Sequence, residues 1–143
     1  MADSSILVDS SLWIEGLGPK APHDLRVALK ALIEANQVVV TDVVRLEVIG
    51  GAKSFEELKE FRADFEALRS LTIAAREWRR AEDLSFTLAR RGVRIPSFDL
   101  LIAAVALAYN VPLWHADKDF ERMKQVVPEL HTFWYPKHNP EIA

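Results

Sequence analysis

Between Arg94 and Asp117 the chain carries one formally charged side chain, Asp99. The intervening residues 95–116 read IPSFDLLIAAVALAYNVPLWHA. The first part of this stretch is apolar nearly all round. A helix formed there has no face to give to water, so it belongs in the middle of the molecule with other elements covering it. Pro96-Ser97 opens that helix and Asn110 closes it. The longest apolar run, roughly residues 100–109, is too short to cross a bilayer, which takes about 20 residues.

The remaining pattern supplies the cover. Compact β-rich runs occur at 5–9 (SILVD), 38–40 (VVV), 71–73 (LTI), in VPLWH and in ELHTFW. Helical spacing fills the gaps between them. A short helix after Asp9 carries Leu12, Trp13 and Leu17 and is ended by Gly16, Gly18 and Pro19. Further helices are predicted over 23–35, with Asn36 as its stop, and from Thr41 or Asp42 through Ile49, stopped by Gly50-Gly51. Ser54 and Glu57 form a capping pair for a helix with Phe55, Leu58, Phe61, Phe65 and Leu68 at 3/4 spacing. Residues 75–91 form a long helix with Trp78, Ala81, Leu84 and Leu88 inward and Gly92 as its cap. DKDFERMKQV forms the last helix. Strands alternating with helices predict an α/β fold, a parallel sheet covered on both faces. The chain shows no internal repeat or linker, so residues 1–143 read as one domain.

Asp99 is also a chemical signal. A buried carboxylate is costly unless it is paired, hydrogen-bonded or bound to a metal. The situation recurs: Asp9 ends SILVD, Glu47 lies inside VVVTDVVRLEVIG, and Asp117 follows VPLWHA. Ligands in open α/β sheets bind beyond the carboxyl ends of the strands. Asp9, Asp99 and Asp117 reach that edge by topology, and Glu47 joins if its helix packs nearby. Each acid has a plainer explanation. Asp9 and Asp117 suit helix N-caps, Asp99 suits the positive end of its helix, and Glu47 suits an ion pair with Arg45 or another arginine. These explain each acid singly but not their recurrence. A cluster of carboxylates suits hard cations such as Mg²⁺ or Mn²⁺, which activate water and stabilise charge on a transferring phosphoryl group.

Composition narrows the choice. There are no cysteines, which excludes thiolate zinc sites and cysteine nucleophiles and fits a reducing, cytoplasmic setting. The start, MADSSILVDSS, has no basic region before its apolar run and does not read as a secretory leader. Net charge is −3, yet Arg69, Arg76, Arg79, Arg80, Arg90, Arg91 and Arg94 share one segment with only three acids. That basic stripe could hold a phosphate backbone, or be a solvated face with pairs such as Glu77–Arg80. Trp13 suits core or interface packing. Phe133-Trp134-Tyr135 suits a terminal edge strand, and the tail from Pro136 is expected to be loosely held.

The segments ILVDSSLWIE, TDVVRLEV, PSFDLLIAAVALAYN and LWHADKDFERM occur in this order over roughly residues 5–123. Together they resemble PIN-domain ribonucleases, closest to the VapC-type toxins of toxin–antitoxin pairs. The resemblance implies a three-layer α/β/α sandwich and an acidic quartet of Asp9, Glu47, Asp99 and Asp117. Ser10 would help to order the site, and Asp119 would be an accessory acid or a helix cap. It also implies Mg²⁺- or Mn²⁺-dependent endonucleolytic cleavage of RNA, a homodimer, and inhibition by a cognate antitoxin. His115 stands where many members carry Thr or Ser; a partly exposed strand-end histidine is the favoured expectation, a phosphate or carboxylate contact the other. Two competing functions remain open at this point. A Mg²⁺-dependent phosphatase or phosphotransfer domain would want a second aspartate two residues after Asp9, where the chain has Ser11. A non-catalytic PIN-like binding module would be favoured by loss of an acid, and all four are present.

Overall fold

A computed structural model describes residues 4–143. The first three residues, part of the N-terminus and of the single domain expected above, lie outside the described residues. The elements run β1 (Ile6–Val8), α1 (Ser10–Leu17), α2 (His23–Glu34), β2 (Val38–Val40), α3 (Asp42–Gly50), α4 (Phe55–Glu66), β3 (Arg69–Ser70), α5 (Ala75–Arg90), α6 (Ser97–Tyr109), β4 (Leu113–His115), α7 (Lys118–Val126) and β5 (Thr132–Trp134). The five strands form one parallel sheet in the order β3-β2-β1-β4-β5.

The strand order reverses at β1, because β2 and β4 flank it on opposite sides. Right-handed crossovers then place α1–α4 on one face and α5–α7 on the other. Most helix contacts follow this division: α1 touches α2 and α3, α3 touches α4, and α6 touches α5 and α7, while α3 and α6 also meet across it. The result is the expected α/β/α sandwich. Because both faces are covered, every residue of β1, β2 and β4 is buried. Residues Leu100 to Ala106 of α6 are buried without a break, as a helix apolar all round requires. No helix among the described residues is long and apolar enough to cross a membrane.

Local chemistry sets the boundaries. Thr41 caps α3 by accepting from the Val44 amide, and Ser54 caps α4 by accepting from the Glu57 amide. Asn36, Asn110 and Gly92 take positive φ where α2, α6 and α5 are left behind.

Several expectations shift. Gly16 does not end α1 but sits inside it, buried. A Cβ there would come within 3.1 Å of Leu29, so the glycine lets α1 and α2 approach closely. The third strand is Arg69–Ser70 rather than 71–73. Its register follows Val39 and Val40 of β2, after which the Leu71 amide donates to Val40 O and its side chain enters the core. On α5 the buried stripe is Glu77, Ala81, Leu84 and Leu88. Trp78, one residue and about 100° round from Glu77, is 54% exposed. Glu77 does not pair with Arg80. Its carboxylate accepts from the Ala74 amide and from Arg76 Nε, bonds that hold its pKa low. Phe55 is exposed beneath Lys59. The tail is tied down, with Pro140 buried and Gln37 exchanging hydrogen bonds with Ala143.

Candidate metal centre

Three of the predicted acids sit where the topology placed them. Asp9 follows β1 and is the N-cap of α1; Asp117 follows β4 and is the N-cap of α7; Asp99 occupies the first turn of α6. The helix-cap explanation is therefore true of Asp9 and Asp117. Each cap uses one oxygen of the carboxylate. Asp9 Oδ2 accepts from the Ser11 amide at 2.9 Å and from Ser11 Oγ at 2.5 Å. Asp117 Oδ1 accepts from the Asp119 amide at 2.9 Å.

The other oxygen of Asp9 is a different matter. Oδ1 is buried and accepts no hydrogen bond among the described residues, in a side chain only 2% exposed. An orphaned buried carboxylate oxygen is rare in native proteins and calls for an explanation such as a missing ion. Burial pushes the Asp9 pKa up to about 6, with Glu47 adding repulsion and the Ser11 bonds opposing the rise. Asp99 is pushed up to about 7, first by desolvation and then by Asp9, Asp117, Glu47 and Asp119. Four carboxylates acting on a fifth describe one electrostatic site.

Glu47 reaches the site through its neighbours. Ser10 Oγ donates to Glu47 Oε1 at 2.8 Å, and α1 packs on α3. Arg45, weighed as its partner, instead faces Glu66 at 4.0 Å. Asp9, Ser10, Ser11, Glu47, Asp99 and Asp117 line one cleft of about 530 Å³, with Ile14, Pro96, Ser97 and Phe98 as its remaining walls.

The tightest group differs from the expected quartet. Carboxylate oxygens of Asp99, Asp117 and Asp119 lie within 4.8 Å of one another. Asp119, expected as an accessory acid or a cap, belongs to this trio; Asp9 and Glu47 face it from the cleft wall. Asp119 is also held by Arg122, 3.0 Å away and one turn along α7. All the donors are hard oxygens, the orphaned Asp9 oxygen needs a partner, and the carboxylates repel one another. On these grounds the residues fit a divalent hard cation.

His115 departs from expectation. It is fully buried rather than partly exposed. Phe120 and Trp134 pack against its ring, at 5.0 Å and 6.3 Å between centroids. Its Nε2 lies 2.7 Å from Glu121 Oε2, and the Asp117 amide donates to its Nδ1 at 3.1 Å. Burial lowers its pKa despite the opposing influence of Glu121. Glu121 was missed from the sequence, where it reads as one more exposed acid on an amphipathic helix. In the sequence Ser11 stands out only as the residue at the position where a phosphotransfer domain would want an aspartate. Its hydroxyl also accepts from the Ala116 amide at 3.0 Å, so it joins the end of β4 to Asp9.

Comparison with known proteins identifies the family. The PIN domain family model matches residues 6–126. Ribonuclease VapC21 of Mycobacterium tuberculosis is 34% identical over 109 residues, 71% of this chain and 76% of that protein. Ribonuclease VapC18 of the same species is 28% identical over 136 residues, 91% of this chain and 95% of its own. Among solved structures, VapBC2 from Rickettsia felis bound to a promoter DNA fragment matches with TM-score 0.75 at 21% identity, covering 91% of this chain and 98% of that one. DNA-bound VapBC from Salmonella typhimurium matches with TM-score 0.75 at 20% identity, covering 90% and 96%. The structural matches carry the fold, the family model and VapC21 carry the kinship, and the chain belongs to the PIN-domain family.

Proposed function

We propose that this protein is an endoribonuclease toxin of the VapC type, a single domain over residues 1–143, held in check by a cognate antitoxin. The ribonuclease relatives and the VapBC complexes among its structural neighbours support that reading. The observation that carries the chemistry is the orphaned, buried Asp9 oxygen beside the Asp99, Asp117 and Asp119 trio.

Asp99, Asp117 and Asp119 would hold Mg²⁺ or Mn²⁺, with Asp9 and Glu47 completing the acidic wall. The bound cation would supply positive charge for the phosphodiester and make a nearby water more acidic. The protein's own residues do the positioning. Ser11 fixes Asp9 by occupying Oδ2, which leaves Oδ1 for a ligand. Ser10 fixes Glu47. Arg91 and Arg94 are exposed in the turn that leads from α5 into the Asp99 helix, where they would hold the RNA backbone against the repulsion of the acids.

An apolar cleft of about 410 Å³, lined by Trp13, Leu17, Ile33, Phe61, Phe65 and Leu68 among others, supports docking of the antitoxin. A homodimer in the cytoplasm completes the proposal. The phosphotransfer alternative finds no carboxylate at position 11, where Ser11 Oγ is committed to Asp9 and to the Ala116 amide.

The test is cleavage of a defined structured RNA with Mn²⁺ or Mg²⁺ and with chelator. Cleavage is expected only with the cation, and Asp9→Asn and Asp99→Asn should each abolish it while the fold persists. Equal cleavage in chelator, or full activity in both variants, overturns the proposal.

A further inference from the structure

The residues around His115 form a chain of contacts that the acidic site does not itself require. A backbone amide can only donate. The Asp117 N–H points at His115 Nδ1 at 3.1 Å, so Nδ1 must offer a lone pair. The ring proton therefore sits on Nε2, which donates to Glu121 Oε2 at 2.7 Å. The same Glu121 oxygen accepts from Thr132 Oγ1 of β5 at 2.7 Å, and Lys124 Nζ donates to Thr132 Oγ1 at 3.3 Å. With Nδ1 accepting from the Asp117 N–H, the ring is held in one tautomer. Phe120 and Trp134 pack against the ring. The charged groups facing it are Glu121 and Asp117, with Lys124 two hydrogen bonds beyond Glu121, through Thr132.

The Asp117 amide is the atom on which this matters. Asp117 caps α7 through the Asp119 amide, so the direction of its backbone sets where both carboxylates of that turn lie. We propose that His115 is a positioning residue: as an Nε2–H tautomer clamped by Glu121 and Thr132, it pins the Asp117 backbone and so fixes the spacing of Asp117 and Asp119 against Asp99. The ring does not touch substrate and transfers no proton. It converts the pairing of the edge strand β5 into the geometry of a cation site. This rests on the reading of Asp99, Asp117 and Asp119 as cation ligands, and the test separates the two.

The experiment measures Mn²⁺ binding to the full protein by calorimetry, with melting in chelator as the control for folding. Asn and Gln split the two functions of the ring. In His115→Asn the side-chain oxygen takes the place of Nδ1 and still accepts from the Asp117 amide. In His115→Gln the amide reaches toward Glu121 but offers nothing at the Nδ1 position. Partners that orient metal ligands typically contribute 10–100-fold in affinity, so Mn²⁺ binding should weaken about tenfold or more in His115→Gln, and by clearly less in His115→Asn, which keeps the acceptor for the Asp117 amide and loses only the link to Glu121. A ring that served only the core would lower the melting temperature in both variants without separating their Mn²⁺ affinities, and that result overturns the inference. Nitrogen NMR of the wild-type histidine gives a reading without any mutation: Nδ1 should be unprotonated and Nε2 protonated, and the reverse tautomer overturns it as well. Asp117→Asn is the reference. If wild type binds Mn²⁺ and Asp117→Asn does not, the cation reading stands and the His115 variants judge the clamp alone. If wild type fails to bind, the cation reading itself falls, and the clamp inference falls with it.

Discussion

Ser10 Oγ donates to Glu47 Oε1 at 2.8 Å, joining the first turn of α1 to the middle of α3 across 37 residues of sequence. The bond makes a specific demand on Ser10→Ala. Glu47 loses its only described hydrogen-bond donor but keeps its place on a packed helix. Stability should fall by no more than about 1 kcal/mol, since a single partly buried hydrogen bond is worth roughly that. RNA cleavage should fall about tenfold, the lower end of the effect of partners that orient ligands. Chemical denaturation and initial cleavage rates measure the two separately. Unchanged turnover would remove Glu47 from the working site.

The acidic wall should also cost the cation-free protein stability. Burial drives Asp9 up to about 6 from 3.8. By the free-energy equivalence of a pKa shift, its ionised form opposes folding by on the order of 2–3 kcal/mol. Asp9→Asn keeps an acceptor for Ser11 and removes the charge. In chelator at pH 8 it should melt several degrees above the wild type, an increment typical of 1–2 kcal/mol in a domain of this size. A lower melting temperature would mean that the charge is compensated from within the protein.

The same shifts fix a direction with pH. A group whose folded pKa lies above its unfolded value stabilises the protein below the unfolded pKa and loses that contribution as pH rises through the folded one. For Asp9 the window runs from 3.8 to about 6, and for Asp99 from 3.8 to about 7. Through these two groups the cation-free protein should lose stability between pH 5 and pH 8, and a cation that competes with their protons should restore it. The rise in melting temperature on adding Mn²⁺ should therefore be larger at pH 8 than at pH 5.5. Equal rises at both values would place the ion elsewhere.

Arg91 and Arg94 are exposed, and the described residues include no ion pair for either. If they hold phosphates, the double variant Arg91→Ala/Arg94→Ala should bind RNA more weakly. The slope of log affinity against log salt should become shallower by about 1.4, from about 0.7 per phosphate contact on a single strand. Fluorescence anisotropy across a salt series, with a catalytically silent Asp99→Asn background, reads both quantities. A weaker affinity at unchanged slope would point to a structural effect.

What the sequence revealed depended on how local the cause was. Asp9 and Asp117 were legible because a strand end and a helix start meet there, and both signals are short-range. Asp99 was legible because its neighbours are apolar on every side. Glu47 was legible only as a conditional member, since its arrival depends on α1 lying against α3 and on one serine hydroxyl. His115 was misread as partly exposed because its cover comes from Trp134 of β5 and Phe120 of α7. Asp119 looked secondary because nothing local says that the first turn of α7 faces the first turn of α6. The short third strand was placed two residues late. LTI has the stronger β-propensity, but pairing with Val39 and Val40 decided the register.

The sheet order carries one more consequence, and it concerns time. β1 is made first, yet one of its two neighbours, β4, lies more than 100 residues later, where Leu7 meets Leu113 and the Asp9 amide donates to Trp114 O. A chain still on the ribosome and short of β4 holds Asp9 and Glu47 but has neither Asp117 nor Asp119 in place. The order of synthesis therefore completes the acidic cleft last. A cleft built this way stays incomplete until β4 and the first turn of α7 have been made.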